Sequence, residues 1–204
     1  MLSFGLESDR RNFLRWAGAV GVGAALVAGG VAEAPLAAAA GKTASDTGDL
    51  GILNYALTLE YLESDFYQKA LAANLLSGRE LALVKPIRAH EAAHVDALTS
   101  TIKSLGGTPV AKPGITYPKG VFASRSSVLN NAVTFEEVGV TAYHGQVPLI
   151  KSGVILGAAA SIAGVESRHA AVLHTLLGTN PVPNKIEAHR TKSEVLAIVK
   201  PFLS

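Results

Sequence analysis

The sequence predicts an all-α fold: a four-helix bundle with one long crossover and a short C-terminal helix. Three observations predict it. Four long stretches repeat apolar residues every three or four positions, the period of a helix with one buried face. Glycine and proline cluster between those stretches. No apolar–polar alternation is long enough to make a strand that matters.

The chain has 204 residues, 49% hydrophobic and 17% charged, which suits one folded domain with an appended segment. A wholly disordered chain is excluded. There is no cysteine, so disulfides, cysteine-bound zinc or iron–sulfur clusters, a cysteine nucleophile and covalent haem attachment are excluded too. The net charge is +2 with no stripe of lysine or arginine, and nucleic acid is not an expected partner.

The first forty residues read as an address. Ser8-Asp9-Arg10-Arg11-Asn12-Phe13-Leu14-Arg15 sets paired arginines before Phe-Leu and resembles the twin-arginine signal of exported bacterial proteins. Residues 16–32 carry no charge but are rich in glycine and alanine, too short and weakly apolar for a stable span. Pro35-Leu36-Ala37-Ala38-Ala39-Ala40 offers an A-x-A-like cleavage site. Cleavage of 1–40 is expected over a retained membrane anchor, leaving 41–204 as the mature domain. Arg10, Arg11 and Arg15 balance Glu7, Asp9 and Glu33, so the charge stays +2. The resemblance implies the twin-arginine export machinery as a partner and a periplasmic or extracellular protein. That route carries folded proteins, often with a cofactor already loaded.

The first helix is expected over 49–76, with Asp49 as N-cap, Gly78 just past its end, and a stripe of Leu53, Leu57, Glu60, Tyr67 and Leu71. The second covers 79–105 and stops at Gly106-Gly107. Its stripe is Leu83, Ile87, Glu91, His94, Leu98, Ile102 and Leu105, and Pro86 either kinks it or marks its true start. Residues 106–127 hold Pro109, Pro113, Gly114, Pro118 and Gly120 and read as the crossover. The third helix covers 128–150 with Leu129, Val133, Glu136, Val140, Tyr143, Val147 and Ile150, weakened near its end by Gly145 and Pro148. The fourth covers 152–177 with Ile155, Ala159, Ile162, Glu166, His169, Leu173 and Leu176, and ends at Gly178. A stiff Asn180-Pro181-Val182-Pro183 linker then leads to a short amphipathic piece at 191–199.

Each stripe is interrupted near its middle by a carboxylate or an imidazole. Burying a lone carboxylate costs several kcal/mol unless it is paired, protonated or metal-bound. Two divalent cations would offset four glutamates, with the histidines bound as neutral imidazoles. The spacing is specific. Glu91-Ala92-Ala93-His94 and Glu166-Ser167-Arg168-His169 are both Glu-x-x-His, which puts the two side chains on one helix face. Glu60 precedes the first copy and Glu136 the second at nearly equal distance, and Tyr67 and Tyr143 follow those glutamates by the same step. One Glu from each of two helices plus Glu-x-x-His from each of the others is the di-iron or di-manganese pattern. Glu63 and Glu137 are alternatives, one turn after Glu60 and one residue after Glu136. The heptad through Val133, Glu136 and Val140 favours Glu136. His90, His144, His174 and His189 read as surface or capping residues, with His144 an alternative neighbour of the site through Tyr143. A metal-free bundle held by Glu–His and Glu–Tyr hydrogen bonds is the competing reading.

Four phrases carry a wider resemblance: Leu-Asn-Tyr-Ala-Leu-Thr-Leu-Glu-Tyr-Leu-Glu (53–63), His-Glu-Ala-Ala-His (90–94), Gly-Val-Thr-Ala-Tyr-His-Gly (139–145) and Val-Glu-Ser-Arg-His-Ala-Ala-Val-Leu (165–173). The chain is similar to ferritin-like proteins over about 49–178, in the branch of exported bacterial ferritin-like and desiccation-related proteins. The resemblance implies Glu60, Glu91, His94, Glu136, Glu166 and His169 as ligands of two metal ions, Fe or Mn, with Glu91 and Glu166 bridging. Tyr67 and Tyr143 would be the catalytic residues beside them, each bonding a carboxylate or lending an electron.

A carboxylate-rich site with two imidazoles suits Fe or Mn. The expected function is oxidation of Fe(II) with O2 or H2O2, protecting against oxidative or desiccation stress. The alternatives are a dimanganese catalase-like enzyme and a structural protein in which metal only stabilises the bundle. A mineral-storing cage is not expected, because the acidic residues are largely used within the helices. A homodimer or monomer is expected.

Overall fold

The computed structural model describes residues 47–203. The twin-arginine segment and the cleavage site expected within 1–40 lie outside the described residues. Helices α1 (Gly48–Ala72), α2 (Gly78–Ser104), α3 (Arg125–Gln146) and α4 (Gly153–Leu177) form the bundle, and α5 (Lys192–Val199) follows. Short 3-10 turns at Val147–Leu149 and Lys200–Phe202 end α3 and α5. No strand occurs among the described residues, where Ile115 and Leu203 make an isolated antiparallel bridge. The fold is the predicted all-α bundle. No described helix is long and apolar enough to cross a membrane.

Local chemistry sets the boundaries. Ser124 Oγ accepts the Ser127 N–H while Ser127 Oγ accepts the Ser124 N–H. This capping box starts α3 before its apolar stripe begins. Pro148 has no N–H to continue a helix, so α3 ends at Gln146 and not at 150. Asp49, expected as a cap, lies inside the first turn of α1, and Thr47 takes the cap position. The Asp49 carboxylate instead accepts the N–H groups of Lys151 and Ser152 at 2.9 and 2.8 Å, tying α1 to the start of α4. Gly78, expected to close α1, opens α2, and α1 stops earlier, at Ala72. α2 runs through Pro86, and its buried face takes Val84 in place of Leu83.

α1 packs on α2 and α3 on α4, and α1 against α3 joins the pairs. The crossover is fastened along α1. Asn54 donates to the Thr108 carbonyl at 3.2 Å and accepts from the Val110 N–H at 2.7 Å. Three turns further, Asp65 accepts from Lys112 at 2.7 Å and from Tyr117 at 3.1 Å. Phe122 then meets Phe66 with ring centroids 5.5 Å apart. The segment thus follows α1 from near its start past its middle, as a connection between the two helix pairs must.

Two apolar clusters fill the bundle. One gathers Leu59, Leu62, Phe66, Leu129, Phe135 and Leu173, and the other Leu53, Leu57, Leu98, Ile102, Ile155 and Ile162. On α2 and α4 the buried glutamates and histidines fall between the two. The C-terminal segment closes the first cluster from outside. α5 buries Val195 and Val199, and Phe202 meets Phe135 at 5.0 Å. Arg190 donates its backbone N–H and Nη1 to the carbonyl and hydroxyl of Thr141, at 3.0 and 2.9 Å. Gly145 permits that approach, since a Cβ there would fall 1.8 Å from the Arg190 carbonyl oxygen. Gly145→Ala should therefore cost about 1–3 kcal/mol and detach the segment around Arg190. Thermal unfolding and limited proteolysis will show a lower midpoint and faster cleavage near residue 190.

Candidate metal centre

The side chains that interrupt the four stripes meet in the interior. Glu60, Glu91, Glu136 and Glu166 are wholly buried, and His94 and His169 nearly so. They fall into two sets of four. Glu60, Glu91, His94 and Glu166 each bring one ligand atom within 4.8 Å of the others, and so do Glu91, Glu136, Glu166 and His169. Glu91 and Glu166 belong to both sets. Glu137 points away, pairing with His174 at 2.9 Å. Glu63, the other alternative, is buried.

The spacings suit a shared ion. His94 Nδ1 stands 3.2, 3.3 and 3.0 Å from oxygens of Glu60, Glu91 and Glu166. His169 Nδ1 stands 3.0, 3.2 and 3.6 Å from oxygens of Glu91, Glu136 and Glu166. Two donors bound about 2.1 Å from one cation, at right angles, lie about 3.0 Å apart. Glu91 Oε1 and both oxygens of Glu166 are buried near those nitrogens yet make no aligned hydrogen bond, and Glu63 Oε2 makes none either. Unpartnered buried carboxylate oxygens are costly, and a cation is a partner that fits those of Glu91 and Glu166 at once. Oxygen donors with two imidazoles and no thiolate suit a divalent metal ion.

The tyrosines bond crosswise. Tyr67 on α1 donates to Glu136 Oε1 on α3. Tyr143 on α3 donates to Glu60 Oε1 on α1 at 2.5 Å. Each hydroxyl thus fixes the carboxylate of the other half. The internal repeat that carries Glu60 onto Glu136 and Tyr67 onto Tyr143 carries Glu63 onto Gly139. A Cβ at Gly139 would stand 2.9 Å from Glu63 Oε1, so the glycine is the notch that admits a fifth carboxylate. The pairing of Glu63 with a glycine in the repeat was the signal that could have placed it inside.

Burial shapes the protonation of the cluster. It pushes the Glu60 carboxyl up to about 8, against the pull of His94. Burial and the Glu166 charge hold Glu63 and Glu136 well above the usual carboxylate range. Burial alone would strip the imidazoles of their protons, but the facing carboxylates outweigh it. Glu60 leads in holding His94 well up, and Glu136 in pushing His169 up to about 12. Glu166 is the exception: despite burial, the imidazoles of His169 and His94 beside it hold it well below the carboxylate range. Without a cation the cluster therefore keeps protons that a metal must displace.

Of the other histidines, His144 bonds the Val140 carbonyl of its own helix at 2.8 Å, and His174 takes Thr179 and Glu137. His189 is exposed. His90, expected at the surface, is half-buried against His169. A proton-for-metal exchange has a direct signature. Mn(II) affinity should climb steeply from about pH 5 to 8, with protons released on binding. Titration with a pH indicator in weak buffer checks both, and a flat affinity would contradict it.

The family model of the ferritin-like domain matches residues 48–179. The twin-arginine translocation pathway signal sequence matches residues 7–27. No curated protein matches the chain. The signal directs the protein across the membrane by the twin-arginine machinery, to the periplasm or the exterior. The helical fold, the buried glutamate and histidine cluster and the matched span agree, and the chain belongs to the ferritin-like domain family.

Proposed function

We propose that this protein holds two Fe or Mn ions and oxidises Fe(II) with O2 or peroxide, removing both from the space outside the membrane under oxidative or desiccation stress. The observation that carries the reading is the pair of four-residue sets that share Glu91 and Glu166. Glu60 and His94 would hold one ion, Glu136 and His169 the other, and the shared glutamates would bridge. The chemistry such a pair supplies is two-electron: two Fe(II) become two Fe(III) while H2O2 and two protons become two waters.

The chain's own residues do the rest. Leu57, Phe66, Leu129 and Leu173 are wholly buried in the two flanking clusters and keep bulk water from the cluster. Tyr67 and Tyr143 hold their protons against Glu136 and Glu60, because burial and those carboxylates disfavour both phenolates. Their hydroxyls thus remain donors, orienting the terminal carboxylates, and the rings would lend an electron from beside those ligands. Glu63 supports a redox role over a purely structural one. Four carboxylates already balance two divalent ions, and burial keeps the fifth protonated. Its ionisation would offset one of the two positive charges gained when both ions become trivalent.

Glu91→Ala and Glu166→Ala should each remove most bound metal, because each deletes a shared ligand. Tyr67→Phe should keep the metal and change only the rate of Fe(II) oxidation. Metal content and stopped-flow absorbance with O2 and H2O2 test all three. Full metal in both glutamate variants would overturn the assignment, and no Fe(II) oxidation by the wild-type protein would overturn the reaction.

A further inference from the structure

The two halves of the centre differ around their histidines. His169 presents Nδ1 to the carboxylates of Glu91, Glu136 and Glu166, while its Nε2 lies 2.9 Å from Nδ1 of His90 on α2. The two rings are nearly parallel, 11° apart, with centroids separated by 5.2 Å. That separation is the bond length plus the two ring radii, so the rings meet edge to edge and nearly in plane, as an imidazole–imidazole hydrogen bond requires. Such a bond decides where the proton of neutral His169 resides. If Nδ1 binds a cation it carries no proton, and the proton sits on Nε2, where His90 Nδ1 can accept it. Metal-bound histidines characteristically donate their other N–H to a fixed acceptor, and that acceptor sets both ring orientation and ligand basicity.

The other half lacks this device. The shift that carries Glu91 onto Glu166 and His94 onto His169 carries His90 onto Val165, a side chain with no acceptor. Among the described residues His94 makes its hydrogen bonds through Nδ1, to Glu60 and Glu91, with no acceptor on Nε2. The asymmetry is therefore built into the sequence at one position of an otherwise close repeat.

We propose that His90 is a positioning residue for one half of the centre: by accepting the Nε2–H of His169 it holds the His169 Nδ1 lone pair on the ion shared with Glu136, and so makes the two metal positions unequal. The ion beside His169 and Glu136 is the more tightly held, and the ion beside His94 and Glu60 the more exchangeable. The inference rests on the dinuclear reading above.

Manganese titration followed by electron paramagnetic resonance tests it on the full mature chain, with circular dichroism to show that each variant is folded. Wild-type protein should fill both positions in two distinguishable steps. His90→Phe keeps a ring but no acceptor. It should leave one ion bound as before and weaken the other about 10–100-fold. His90→Asn places Oδ1 where Nδ1 was and should recover most of that loss. In a His169→Ala background, His90→Phe should change nothing further, because its effect passes through His169. Wild-type affinity at both positions in His90→Phe would overturn the inference while leaving the metal reading intact, and so would an equal loss at both. A wild-type protein that takes up no Mn(II) or Fe(II) would overturn the metal reading and this inference together.

Discussion

Five carboxylates and two imidazoles lie buried in one four-helix core, and every other feature of the molecule is arranged around that constraint. A carboxylate moved from water to a protein interior loses several kcal/mol of solvation. Hydrogen bonds from Tyr67, Tyr143 and the two histidines recover part of it. They do not reach Glu91 Oε1, Glu63 Oε2 or either oxygen of Glu166. Protons can neutralise the remainder, as the raised Glu60, Glu63 and Glu136 show. Two divalent cations would do the same while giving the orphaned oxygens of Glu91 and Glu166 a partner.

The apolar architecture holds that arrangement in place. A cluster lies to either side, each contributed by all four helices or their neighbours, so no single helix can rotate without exposing apolar surface. The crossover pinned by Asn54 and Asp65 and the C-terminal segment pinned on Thr141 lie outside α1 and α3, which carry Glu60 and Glu136. The internal repeat gives the centre near-symmetry and then departs from it twice. Glu63 faces Gly139 across one side, and His90 supports one histidine where Val165 stands in the other half. A symmetric pair of ions would need neither.

The sequence announced most of this, for reasons that differ residue by residue. Helical period and glycine punctuation placed the four helices, because each has one face buried and one exposed. The doubled Glu-x-x-His named Glu91, His94, Glu166 and His169, since that step fixes both side chains on one face. Heptad phase separated Glu136 from Glu137, which the structure puts on opposite sides of the helix wall. Boundaries were less legible. Asp49 has capping chemistry but finds its partners in the loop before α4, a contact no local rule contains. The contact of His90 is illegible for the same reason: a histidine one turn from a ligand looks solvated until the neighbouring helix brings His169 against it. Glu63 was legible only by comparing the two halves, where a glycine answers it.

The central claim is that the buried cluster is a metal centre and not a hydrogen-bonded core. Elemental analysis of the mature protein, purified from its own export route without added metal, tests it most directly. The account predicts about two Fe or Mn per chain. A metal-free bundle that neither binds Fe(II) or Mn(II) nor gains thermal stability from them would contradict it.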